Sequence, residues 1–168
     1  MLELINKLIP FFEDCYRRIG VREYSKIAGV SPPTASKILN EYYKENLLKM
    51  EKDRCYLFFY ANKESKIFIE LSKIYWFYRL GNLFDFLNKS FISPTIILFG
   101  SLSKGEAKQD SDIDIAIIAH KKEINIKKFE VKLKRKIELF LFESVKDIKE
   151  EIRNNIINGY VLVGKIKL

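Results

Sequence analysis

The stretch Phe99-Gly100-Ser101-Leu102-Ser103-Lys104-Gly105, continuing through Glu106-Ala107-Lys108-Gln109 to Asp110-Ser111-Asp112-Ile113-Asp114-Ile115-Ala116-Ile117-Ile118, decides how this chain folds. Thr95–Phe99 ahead of it is a β-run of branched and aromatic residues, and Ile113–Ile118 is a second one. A strand sends successive side chains to opposite faces, so Asp112 and Asp114 share one face and Ile113 and Ile115 the other. Two carboxylates this close repel. Unpaired, one of them keeps its proton through a large upward pKa shift. A divalent cation removes the conflict, because hard oxygen ligands suit Mg²⁺. Gly100 lets the backbone approach a ligand closely. Backbone N–H groups at a helix start, with the hydroxyls of Ser101 and Ser103, can take phosphate oxygens. Strand, Gly-Ser turn, short helix and Asp-x-Asp strand therefore read as a triphosphate and its metal held face to face. Standing alone, an Asp-x-Asp pair is usually a solvated strand end or a turn; the Gly-Ser turn upstream and the lone acid in a later apolar strand favour the metal site here.

The surroundings fit that reading. After Pro94, strands and helices interleave. A short helix is expected near Ser103–Ala107, a polar loop over His120–Asn125 and a basic helix over Ile126–Arg135. Ile137–Phe142 reads as a third strand, Val145–Ile157 as a last helix and Tyr160–Ile166 as an added strand. The spacing of Gly100, Ser101, Asp112 and Asp114 resembles the signature of the nucleotidyltransferase superfamily related to DNA polymerase beta, in its minimal single-domain form. The resemblance covers residues 92–168 and implies a mixed β-sheet flanked by helices. It also implies two ions of Mg²⁺ or Mn²⁺, and transfer of a nucleoside monophosphate from ATP or another nucleoside triphosphate to an acceptor hydroxyl. The superfamily needs a third carboxylate on a later strand. Glu138, in Lys136-Ile137-Glu138-Leu139-Phe140-Leu141-Phe142, stands there in place of the usual Asp. The resemblance thus assigns catalysis and metal binding to Asp112, Asp114 and Glu138. Nucleotide binding falls to Gly100, Ser101, Ser103 and Lys104, the last a point charge for phosphate where relatives often carry Arg.

The first half has another texture. Leu4, Leu8, Phe11, Phe12 and Ile19 recur at helical spacing and predict a helix over 2–19 stopped by Gly20. A short helix over Arg22–Ala28 follows, with Tyr24, Ile27 and Ala28 inward. After the Gly29-Val30 turn, Ser31 is an N-cap and Pro32 sits where its missing N–H does no harm. The third helix runs to about Glu45, with Ala35, Ile38, Leu39 and Tyr42 inward. Two apolar runs around Glu51-Lys52-Asp53-Arg54 predict a β-hairpin. This order, and the stretch REYSKIAGVSPPTASKILNEYYKENLL in particular, resembles a winged helix-turn-helix over residues 1–62. The resemblance implies DNA binding by Thr34, Ser36, Lys37, Asn40 and Lys44 on the outer face of the third helix and by Arg54, with Arg22 and Lys52, at backbone phosphates. The other reading is a unit that packs or binds protein. Residues 63–91 read as one linker helix, apolar nearly all round. Such a helix needs covering by a domain or a second copy, so a homodimer is expected.

The whole chain is therefore read as α+β, in three parts: 1–62, 63–91 and 92–168. Its 168 residues carry 30 Lys and Arg against 22 Asp and Glu, a net charge of +8 that favours polyanionic partners. Cys15 and Cys55 form no CxxC pair, and the single His120 has no second His at ligand spacing. Glu3 and Lys7 interrupt the N-terminal apolar run, which argues against a signal peptide. No uncharged apolar run approaches the ~20 residues of a membrane span. A cytoplasmic protein is expected. The resemblance further implies a helical partner protein, as in the antitoxin half of a toxin–antitoxin pair, with a partner protein, RNA or small molecule as acceptor. The alternative is a DNA-binding transcriptional regulator whose transferase domain senses nucleotide or is inactive.

Overall fold

Helix α1 (Leu2–Glu13) buries Ile5, Leu8, Phe11 and Phe12 on one side, the helical spacing of its apolar residues. The structure is a computed structural model that describes residues 2–166. The chain divides into two compact units: one ends its main segment at Ser72 and also takes Gly105–Gln109, and the other comprises Lys73–Lys104 and the chain from Asp110 onward.

In the first unit, α1 is followed by a two-residue strand β1 (Ile19–Gly20), α2 (Val21–Ala28), α3 (Pro32–Lys44) and a hairpin of β2 (Leu48–Asp53) and β3 (Tyr56–Ala61). The three strands pair antiparallel in the order β1-β3-β2. Gly29 ends α2 in the left-handed region at φ 64. Ser31 caps α3, its side chain accepting from the Thr34 N–H. Ala35, Ile38, Leu39 and Tyr42 are buried, as their spacing predicts. Phe11 stacks on Tyr24, whose hydroxyl donates to the Lys7 carbonyl at 2.9 Å, and Phe12 meets Phe68. Three local expectations are corrected. Helix α1 stops at Glu13, and Ile19 is buried from β1 instead of from a helix. Ile27 is exposed and Ser25 takes the inward position beside Tyr24. The hairpin turns at Arg54-Cys55, with Glu51–Asp53 still in β2.

The expected single helix over the 63–91 linker is two. α4 (Lys66–Arg79) and α5 (Gly81–Ser90) are separated at Leu80, whose ψ of 1° leaves the helical region. The division between the units falls inside α4.

The second unit holds β4 (Thr95–Phe99), α6 (Gly100–Lys104), β5 (Ile113–Ile118), α7 (Lys127–Leu133), β6 (Ile137–Phe142), α8 (Glu150–Ile157) and β7 (Tyr160–Val163). β4, β5 and β6 match the sequence expectation residue for residue. The short helix begins at Gly100 instead of Ser103, and the last helix is split into a 3-10 turn, Val145–Asp147, and α8. The sheet order is β6-β5-β4-β7; β5 and β6 run parallel and the other pairs antiparallel. It is the mixed sheet flanked by helices expected of this half. One face buries Ile97, Phe99 and Ala116 against Ile148 and Ile156. Ile96, Leu98, Ile113, Ile115 and Ile117, on the opposite face, are fully buried. A sheet buried on both faces reads as continuous apolar runs, which is why these strands were legible.

Candidate active site

Strand register assembles the site. Antiparallel pairing puts Asp114 opposite Phe99, the last residue of β4, and parallel pairing puts Glu138 beside Asp114. Paired residues lie on one face of a sheet about 4.8 Å apart. Asp114 and Glu138 therefore share the face that carries Phe99 and Phe140, whose rings meet at 5.2 Å. Phe99 leads directly into Gly100, so the turn and the carboxylates come together at one end of the sheet.

Gly100 has a φ of 71, and a Cβ built on it would stand 2.0 Å from Asp114 Oδ2. Only glycine leaves room for that carboxylate. Ser103 is buried and its hydroxyl donates to the Gly100 carbonyl at 2.9 Å, so it braces the turn. Ser101 is half-buried at the start of α6. Lys104 is exposed and donates to Asn155 Oδ1 at 3.0 Å, which carries it toward α8.

The electrostatics single out Asp114. Burial, then the charges of Glu138 and Asp112, push its carboxyl up to about 6 from 3.8, with Lys136 acting in the opposite direction. Lys136 forms an ion pair with Glu138 and stands 3.8 Å from Asp112 Oδ2. Its ammonium is held above its usual range by that hydrogen bond and by the Glu138 charge. Three carboxylates thus share one end of the sheet, and Lys136 offsets them. The donor set, all hard oxygens in charge excess, fits a divalent cation. Among the described residues, no three His, Cys, Asp or Glu side chains converge as a ready ligand cluster. The ammonium of Lys136 lies on two of the carboxylates that such a cluster needs.

Two residues were not singled out in the sequence: Lys136 and Arg135. Arg135 is buried, stacks its guanidinium 5.1 Å from the Trp76 ring and donates to the Ser111 carbonyl at 2.7 Å, one residue before Asp112. Lys136 was legible in principle. It precedes Glu138 by two positions, so the strand period puts both on one face.

In the first unit, Thr34, Lys37 and Lys44 are exposed on α3 and Arg54 is exposed at the hairpin turn. Ser36 and Asn40 are half-buried and bonded to each other's turn, with the Asn40 amide donating to the Ser36 carbonyl at 2.8 Å. Thr34 shares its hydroxyl with the Ser31 cap. No described helix is long and apolar enough to cross a membrane.

No curated protein and no solved structure matches the chain. The family described as Polymerase beta, Nucleotidyltransferase matches residues 82–166, just over half of the chain. The match spans the whole of the mixed sheet and every carboxylate at its end. The chain belongs to the polymerase beta nucleotidyltransferase family.

Proposed function

We propose that this protein is a metal-dependent nucleotidyltransferase that moves a nucleoside monophosphate, AMP from ATP as first choice, to a hydroxyl on a partner protein, RNA or small molecule. The observation that carries the reading is the juxtaposition of Asp114, Glu138 and the Gly100 turn at one sheet end. Asp112, Asp114 and Glu138 would hold divalent ions, Mg²⁺ or Mn²⁺. When bound, such ions offset the negative charge of the phosphates and of the departing pyrophosphate. Gly100 and Ser101 receive the triphosphate, and Lys104 adds a mobile positive charge. Glu138 accepts the proton of the attacking hydroxyl as its oxygen bonds to the α-phosphorus and the bond to the β-phosphate oxygen breaks.

The first unit is proposed to be a winged helix-turn-helix that binds DNA. Support comes from the order α1-β1-α2-α3-β2-β3, the antiparallel β1-β3-β2 sheet and the exposed Thr34, Lys37 and Lys44 on α3. The exposed Ile74, Phe77 and Tyr78 of α4 favour a macromolecular contact, a second copy or a helical partner. An antitoxin acting in the cytoplasm on its partner protein combines these features.

Titration calorimetry with ATP tests the site. ATP should bind tighter with Mg²⁺ than with chelator, and the double variant Asp112→Asn with Asp114→Asn should lose that enhancement. Equal affinity with and without metal in the unaltered protein would overturn the reading.

One observation favours a second reading. The Lys136–Glu138 ion pair occupies the third carboxylate, as expected of a regulator whose transferase domain binds nucleotide without turning it over.

A further inference from the structure

We infer that Lys136 is the built-in counter-cation of the carboxylate site, and that metal and nucleotide enter together because the triphosphate draws this ammonium away from Glu138 and Asp112. The inference rests on the metal-site reading above and concerns how that site is controlled.

The charge balance at the sheet end carries the argument. Asp112, Asp114 and Glu138 bring three carboxyl groups to one place, and Lys136 is the cation paired with Glu138 and set 3.8 Å from Asp112. An ammonium and a divalent ion compete for the same oxygens. A unit positive charge about 4 Å from the incoming ion opposes it by roughly tenfold or more in affinity across the dielectric range of a protein surface. Lys136 sits immediately before β6 with most of its side chain in solvent. Its long stem can therefore swing without disturbing the strand. Leaving the carboxylates costs the ammonium its anionic partners, and a triphosphate supplies replacements. Metal alone meets an occupied site, whereas metal with nucleotide exchanges one set of ion pairs for another. The neighbouring Arg135 donates to the Ser111 carbonyl and lies over the Trp76 ring.

The test is titration of Mn²⁺ into the full chain, with bound metal read by electron paramagnetic resonance, alone and with ATP. The unaltered protein should bind Mn²⁺ weakly alone and about tenfold or more tighter with ATP. Lys136→Gln should bind Mn²⁺ alone about tenfold tighter than the unaltered protein and show a smaller gain from ATP. Lys132→Gln, which removes an exposed lysine of α7, should change neither. Mn²⁺ affinity that depends on Asp114 but is the same in Lys136→Gln would overturn this inference and leave the metal site standing. An equal rise in Lys132→Gln would also overturn it, as a general effect of net charge. Binding that is indifferent to Asp112→Asn with Asp114→Asn would overturn the metal site, and this inference with it.

Discussion

Asp114 carries opposing demands. Its carboxyl is half-buried beside two other acids and titrates at about 6, against 3.8 ordinarily. The folded protein therefore binds this proton more tightly than the unfolded chain does. Unfolding releases it between those two values, so stability falls as pH rises through that window. Above it, the ionised carboxylate is a standing cost. Asp114→Asn should melt higher than the unaltered protein at about pH 7 in chelator, with the difference shrinking toward about pH 4. Thermal unfolding across that range checks it, and a difference that grows toward low pH would reverse the assignment. A stabilising loss of charge is the mark of an acid kept for function. Gly100 is the second residue under demand. In Gly100→Ala, the new Cβ meets Asp114 Oδ2 at 2.0 Å and the backbone keeps a φ of 71. A stability loss of about 1–3 kcal/mol is expected, together with lost ATP binding by calorimetry. Unchanged ATP affinity would show that the turn does not receive the nucleotide.

Among the elements, α3 is where charge and exposure meet. If it lies in a DNA groove, binding to duplex should weaken steeply with salt, and Lys37→Ala should lower the slope of log affinity against log salt by about 1. Gel-shift titration at several salt concentrations measures it; a slope unaltered in Lys37→Ala would remove α3 from the interface. The elements also show what the sequence discloses. β4, β5 and β6 were legible to the residue because branched apolar runs bounded by Pro94, Gly100, Lys136 and Glu143 leave little choice of ends. The α4–α5 break was not, because the apolar pattern continues through Leu80 and Leu83, and one Gly81 inside such a run is a weak stop. The end of α1 was missed for the opposite reason. Ile19 keeps the helical spacing, yet its burial comes from pairing with Phe59 across β1 and β3. Carboxylate spacing made Asp112 and Asp114 readable, whereas Lys136, two positions before Glu138, went unread although the strand period would have put the two on one face. What periodicity cannot give is register between strands distant in sequence. That Asp114 faces Glu138 follows from the β5–β6 pairing, a property of the folded sheet.

At the scale of the whole chain, a net charge of +8 and two compact units frame a protein suited to polyanions. The family membership of residues 82–166 brings the transferase site under that description, and the carboxylates at the sheet end give it a chemical rationale. The central claim is that those carboxylates transfer a nucleotide. It is tested most directly by incubating the full chain with Mg²⁺, ATP labelled at the α-phosphate and a cell extract, then following label into protein, RNA and small molecules. Label should appear in an acceptor. In Glu138→Gln its single-turnover rate should fall by on the order of 10²-fold or more, as for a lost acid–base group, with ATP affinity nearly unchanged. Transfer at the normal rate by Glu138→Gln, or no transfer to any acceptor by the unaltered protein, would contradict the account.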